Sequence, residues 1–185
     1  VDQSRNMYFG SRVAFKSVVA AEAAAIICWT TVDNGDRVGG VVFNDSRQEL
    51  IKPRRSKRSA LRFLNALAEY NQELVSSHTG TAASGKLKAA LEQMCRITKP
   101  GSNVYLVSDF NDYDYECEKL IGQLAIHNSM TCVLIYDDLE ANLPRPGLYS
   151  ITDGNSRTAL DTYSRFIREH YHKGFDQRVA QLQSN

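Results

Sequence analysis

The sequence predicts an α/β domain built on a mostly parallel sheet with helices on both faces. Two observations carry the prediction. Short β-branched runs at 38–43, 104–107 and 131–136 have the continuous apolar character of buried strands. Segments of helical periodicity separate them, and this alternation is the mark of a helix-covered parallel sheet.

Residues 12–30 are apolar nearly all round, with Val13, Phe15, Val18, Val19, a run of alanines, Ile26 and Ile27. A helix buried on most faces is predicted there. Asn34-Gly35-Asp36 ends it as a turn. The strand at 38–43 leads through Asn44-Asp45-Ser46 to a short antiparallel edge strand at 49–51, and 53–58 reads as a basic loop. Leu61, Leu64, Leu67, Ala68 and Leu74 follow helical spacing, and the polar stretch 76–85 reads as a loop. Leu87, Ala90, Leu91, Met94 and Ile97 predict another amphipathic helix, stopped by Lys99-Pro100-Gly101. The strand at 104–107 runs into Ser108-Asp109-Phe110-Asn111-Asp112. A helix carrying Cys117, Leu120, Ile121 and Leu124 follows, then the strand at 131–136 and a short strand at 148–151. A closing helix is expected from Ser156 through Tyr171, with a break at Gly174. No repeat, low-complexity tract or linker divides the chain, so one domain over 1–185 is expected.

Composition narrows the function. Hydrophobic residues make up 43% of the 185 positions, enough for a core, and the net charge of +1 implies no global pull toward nucleic acid or anionic lipid. No apolar run approaches the ~20 residues of a membrane span. Cys28, Cys95, Cys117 and Cys132 lie far apart and form no C-x-x-C pair, which reads as small buried hydrophobes rather than a zinc site. The motifs G-x-x-x-x-G-K-[ST], G-x-S-x-G and G-x-G-x-x-G do not occur, so nucleotide and acyl-transfer enzymes are poorly supported. Val1-Asp2-Gln3-Ser4 reads as the end of something rather than a beginning, because a globular domain rarely opens on a polar loop feeding a long buried helix, and an excised piece of a longer chain is expected.

Open parallel sheets bind ligands beyond the carboxyl ends of their strands, where the strand order reverses. The polar residues expected there are Asp2, Ser4 and Asn6 after the first strand, Asp109 after 104–107, and Thr79, Thr81 and Ser84 of the 76–85 loop. These hard oxygen donors suit Mg²⁺ or Mn²⁺. The plainer alternative is that Asp2 and Ser4 cap the helix that follows.

Asp2-Gln3-Ser4-Arg5-Asn6-Met7-Tyr8-Phe9-Gly10 resembles the "D-x-S-x-S-M-x-F-G" opening of von Willebrand factor A-like domains. More closely, it resembles the bacterial branch named domain of unknown function 58. Asp36-Arg37-Val38-Gly39 with Val42-Phe43 looks like that family's second strand, and Leu87-Lys88-Ala89-Ala90-Leu91 looks like its helix after the threonine loop. Val107-Ser108-Asp109-Phe110 looks like its fourth strand end. Asp137-Asp138-Leu139-Glu140 with Leu143-Pro144 and Gly147 resembles its "D-x-x-E-x-x-L-P-x-x-G" stretch.

The resemblance implies a Rossmann-like domain with a metal-ion-dependent adhesion site, lacking here all of its first strand but Val1. In such a site an Asp and two hydroxyls of one loop, a Thr of a second and an Asp of a third surround the ion. Asp2, Ser4 and Asp109 match. Asn6 stands where a Ser is usual, and the Thr position falls on Gly85, with Ser84 beside it and Thr81 further back. An Asn amide is longer than a hydroxyl, and Mg²⁺ tolerates little departure from octahedral bonds of ~2.0–2.1 Å, so a degenerate site is expected. The resemblance also implies a cytoplasmic domain, membrane helices upstream, and a MoxR-type AAA+ ATPase as partner.

The function expected is therefore a non-enzymatic protein-interaction module. One alternative is a Mg²⁺-dependent phosphotransfer enzyme with Asp2 as nucleophile, although the close second acid such sites want is missing from Asp2-Gln3-Ser4. Another is nucleic-acid binding through Lys52, Arg54, Arg55, Lys57 and Arg58, a run without interleaved aromatic residues.

Overall fold

The structure is a computed structural model in which residues 1–76, 85–152 and 157–183 are described. They form two compact units, Val1–Ile135 and Tyr136–Asn185.

In the first unit, helix α1 spans Lys16–Asp33, not 12–30. The chain before it folds into a tight loop: the Lys16 amide donates to the Phe9 carbonyl at 2.8 Å, and the Tyr8 and Phe15 rings stack 4.4 Å apart. Gly10 is required inside this loop, because a Cβ there would lie 2.3 Å from the Ala14 carbonyl oxygen. The expectation of a helix buried on most faces is also corrected. Only a stripe of Ser17, Ala20, Ala24 and Cys28 is buried after Lys16, while Ile26 is 68% exposed. These residues recur at helical spacing and are small, so the helix approaches the layer beneath it closely while its larger apolar residues point away.

Strands β1 (Val38–Phe43) and β2 (Gln48–Arg54) form an antiparallel hairpin. Its turn is held by the Asn44 side chain, which accepts from the amides of Ser46 and Arg47 at 3.0 and 2.9 Å. Helix α2 (Lys57–Ser76) begins where a basic loop was expected; the Ser56 hydroxyl accepts from the Ser59 amide at 3.2 Å. Ala60, Phe63, Leu67, Tyr70 and Leu74 make its buried face. Ala60, Phe63, Leu67 and Tyr70 pack with Ala24, Cys28, Val42 and Ile51 into one core cluster.

Helix α3 (Lys86–Ile97) buries Leu87, Ala90 and Leu91. Strand β3 (Asn103–Ser108), helix α4 (Tyr115–Ala125) and strand β4 (Ser129–Leu134) complete the unit. β3 and β4 pair in parallel from Asn103↔Ser129 to Ser108↔Leu134. The Asp114 carboxylate caps α4 by accepting from the Cys117 amide at 2.8 Å. Met7, Ala20, Val107 and Ile135 form a second core cluster. The cysteines are free, and Cys28 and Cys117 are buried as expected of small hydrophobes, whereas Cys132 on β4 is exposed.

The second unit contains α5 (Asp138–Ala141), β5 (Leu148–Thr152), β6 (Arg157–Asp161) and α6 (Arg165–Gln183). The Asp137/Glu140 spacing is a capping box: Asp137 accepts from the Leu139 amide at 2.9 Å, and Glu140 accepts from the Asp137 amide at 2.8 Å. The closing helix differs from expectation at both points. Residues 157–161 are a strand paired antiparallel with β5, and α6 runs through Gly174 without a break. Tyr171 donates from its hydroxyl to the Leu139 carbonyl at 2.9 Å, and Tyr136 lies against Phe175 with ring centroids 5.0 Å apart.

The expectation of a mostly parallel, Rossmann-like sheet is overturned. Among the described residues the strands pair as three two-stranded sheets, β1–β2 antiparallel, β3–β4 parallel and β5–β6 antiparallel. The physical reason lies in residues 1–3. They run between β1 and β3, where the Gln3 amide donates to the Phe43 carbonyl at 2.8 Å and the Asp2 amide to the Val107 carbonyl at 2.9 Å. Among the described residues that segment makes only an isolated parallel bridge, Asp2↔Phe43.

Candidate functional site

Asp2 and Asp109 come together at the ends of the segments that carry them. Asp2 is bonded through its amide to Val107, two residues before Asp109. Both acids are buried, at 5% and 3% exposure.

Each carboxylate oxygen of Asp2 has a protein donor. The Ser4 amide donates to Oδ1 at 2.8 Å, and the Ser108 hydroxyl donates to Oδ2 at 2.6 Å. Burial holds the Asp2 carboxyl above its ordinary range, and the nearby charge of Asp109 pushes the same way, while the bonds from Ser108 and Ser4 oppose both. Asp109 accepts from the Asn111 amide at 3.0 Å on Oδ1. On Oδ2 it meets the Lys16 ammonium at 2.8 Å, in an ion pair whose side chains are 2% and 5% exposed.

Local backbone geometry sets this arrangement. The Ser108 hydroxyl accepts from the Phe110 amide at 3.0 Å while donating to Asp2. Phe110 takes φ +54°, a left-handed conformation that non-glycine residues rarely hold, and buries its ring. The chain therefore reverses just after Asp109 and turns Asn111 outward. On the other side, residues 5–7 form a short 3-10 helix, and the Arg5 amide donates to Asp45 Oδ2 at 2.6 Å. That bond ties the first loop to the β1–β2 turn. Gln3, fully buried, donates to the Ser17 carbonyl at 3.0 Å and accepts from Asn71 at 3.1 Å.

Asp2, Ser4 and Asp109 thus gather as the sequence leads one to expect. Asn6 sits at the same corner, but on the exposed side of the 3-10 helix. Thr79, Thr81 and Ser84 lie outside the described residues. Arg54, Arg55 and Arg58 do not join the cluster. All three are exposed, and Arg54 pairs with Val38 at the far end of β1 from Phe43, about 17 Å away at ~3.4 Å per residue.

Lys16, Gln3 and Asp45 were not singled out as site residues in the sequence, and Ser108 entered only as part of the Ser108-Asp109-Phe110 run after the strand. Lys16 had a signal: it is the one charge between Arg12 and Glu22 in an otherwise apolar and small-residue run. A cation in such a run is a candidate buried charge, and buried charges are paired.

The donors do not fit a divalent ion as they stand. A second cation beside the buried Lys16 ammonium would meet strong repulsion at low dielectric. The carboxylate oxygens of Asp2 and Asp109 already accept hydrogen bonds from Ser4, Ser108, Asn111 and Lys16. Among the described residues, no three His, Cys, Asp or Glu side chains gather in a metal-holding arrangement.

Comparison with known proteins agrees with the resemblance to domain of unknown function 58. The chain belongs to the family described as protein of unknown function DUF58, whose model matches residues 1–181. No curated protein matches it. Among solved structures, the chain is similar to the conserved hypothetical protein BatB from Bacteroides thetaiotaomicron, with a TM-score of 0.53 and 11% identity over all of this chain and 96% of that one. That likeness is one of fold. A second similar structure is an aerotolerance-related membrane protein from Bacteroides fragilis carrying multiple mutations to serines, with a TM-score of 0.46 and 15% identity over 93% of this chain and 83% of that one. No described helix of the present chain is long and apolar enough to cross a membrane.

Proposed function

We propose that this family member is a non-enzymatic protein-interaction module of the von Willebrand factor A-like kind, with a degenerate adhesion site. Its partner is a MoxR-type AAA+ ATPase, and the module works on the cytoplasmic side of the membrane. The partner and the location rest on the motifs at 2–10 and 107–110 that resemble the family.

The observation that carries the interaction reading is the loop at 9–15. Its two ends are pinned beside the Asp2–Asp109 cluster by the Lys16–Phe9 backbone bond and the Lys16–Asp109 ion pair. Between them it lifts Val13 to 98% exposure, and Phe9 is 41% exposed. An exposed tip of Ser11, Arg12, Val13 and Ala14 next to a buried polar support, with exposed Asn6 and Asn111 beside the acids, has the mixed makeup of a contact surface. The Asp2 carboxylate, 5% exposed and bonded on both oxygens, suits that support better than it suits an attacking nucleophile.

Biolayer interferometry of the full chain against a purified MoxR-type ATPase, in its empty, ADP and ATP-analogue states, tests the proposal. Binding in at least one state is expected, weakened about tenfold or more by Val13→Asp and by Asn111→Ala with circular dichroism unchanged. Absence of binding in all three states overturns the partner. Binding that ignores both substitutions overturns the surface.

A further inference from the structure

We propose that Lys16 is the resident cation of this site. Its ammonium holds Asp109 where a divalent ion would otherwise sit, so the cluster assembles without Mg²⁺ or Mn²⁺ and no metal bridges it to whatever docks there.

The pair is close and dry, at 2.8 Å with both side chains at 5% exposure or less. It is also placed against local preference. Lys16 is the first residue of α1, at the positive end of the helix dipole, where a cation is disfavoured. The first turn of α1 holds no acidic residue to offset it. A lysine kept there and fully buried needs a partner charge, and Asp109 supplies it from 93 residues away.

Charge counting points the same way. Asp2, Asp109 and Lys16 together carry one net negative charge when ionised. A divalent ion added to them would reverse the sign and leave two cations side by side in a buried space. An ammonium also differs in kind from a metal: it donates hydrogen bonds and has no exchangeable coordination position. A carboxylate from a partner could not complete its shell as it completes that of an ion. This inference concerns the cation requirement of the site and holds whether or not the partner is an ATPase.

The test uses the full chain after EDTA treatment. Thermal unfolding and calorimetric titration with MgCl₂ and MnCl₂ are expected to show no stabilisation and no saturable heat in the wild type. Saturable binding that Asp109→Asn abolishes overturns the proposal. In Lys16→Met the ammonium is gone and the two carboxylates remain, so Mn²⁺ should bind about tenfold or more tightly than to wild type and raise the unfolding midpoint. A folded Lys16→Met with no gain in Mn²⁺ affinity overturns the proposal. Should that variant not fold, ¹⁵N-labelled wild type titrated with Mn²⁺ decides. Unbroadened amide signals of Ser4 and Asn111 support a resident lysine, and broadening confined to those signals at low Mn²⁺ overturns it. Partner binding enters none of these readouts, so the failure of either proposal leaves the other distinguishable.

Discussion

The Ser108 hydroxyl donates to the Asp2 carboxylate at 2.6 Å, joining residues 106 positions apart. Both are buried, and the same hydroxyl accepts from the Phe110 amide. Ser108→Ala removes a hydrogen bond to a buried acid and orphans a backbone donor. A loss of about 1.5–3 kcal/mol is expected. Urea unfolding of both proteins measures it, and a change within error would mean that the bond is not made in solution.

Asp2 itself is expected to cost stability at neutral pH. Its folded-state carboxyl is held above the ordinary range, chiefly by burial. For such an acid the contribution to folding is complete below the unfolded range and is lost as pH rises through the raised folded value. Asp2→Asn, which cannot ionise, should therefore gain on wild type as the pH is raised. Urea midpoints from about pH 4 to pH 8 check the sign. A difference that stays flat or shrinks with rising pH would contradict it.

Lys16 and Asp109 form a pair whose halves are worth more together than apart. Lys16→Met leaves Asp109 buried and should cost about 3–5 kcal/mol. Lys16→Met with Asp109→Leu should recover most of that loss, because the uncompensated charge is gone. A double-mutant cycle by denaturant unfolding reads the coupling, and additive losses would show that the two side chains do not interact.

At α2 the first turn carries Lys57 and Arg58, both exposed, and no acidic residue. Cations at this end oppose the helix dipole. Lys57→Glu should stabilise the protein by about 0.3–1 kcal/mol at low salt, and less as salt screens the charge. Thermal midpoints at two salt concentrations test both parts.

Asp114 caps α4 as an anion, and its bond from the Cys117 amide holds the carboxyl below the usual range. Stability from this cap is present above the unfolded carboxylate range and disappears as pH falls through the lowered folded value. Asp114→Ala should consequently lose to wild type at neutral pH and converge with it in acid. Parallel unfolding curves at the two extremes settle the direction.

Local chemistry was readable from the residues alone. Leu87, Ala90 and Leu91 sit at helical spacing and form the buried face of α3. Val104, Leu106 and Val107 enter a buried strand that ends at Ser108. Asp109 stands directly after this strand, and the structure brings it together with Asp2. In each case the deciding information lies within about ten residues, in propensity and period.

Other features could not be read this way. Residues 157–161 look like the start of a helix until β5 supplies a pairing partner, because an isolated five-residue strand has no stability of its own. Residues 12–15 look like the start of α1 until the Phe9–Lys16 bond and the Tyr8–Phe15 stack close a loop there. The β1–β2 and β3–β4 pairs stay separate sheets, because residues 1–3 give β1 and β3 a bridge and not a ladder.

By itself, then, the sequence determined the alternation of strands and helices and the two acids that end at one corner, since periodicity and the strand–turn boundary are local properties. Only the tertiary structure decided which charge faces those acids. Lys16 and Asp109 lie 93 residues apart, and an ion pair depends on distance and burial in space, neither of which is written in the spacing along the chain.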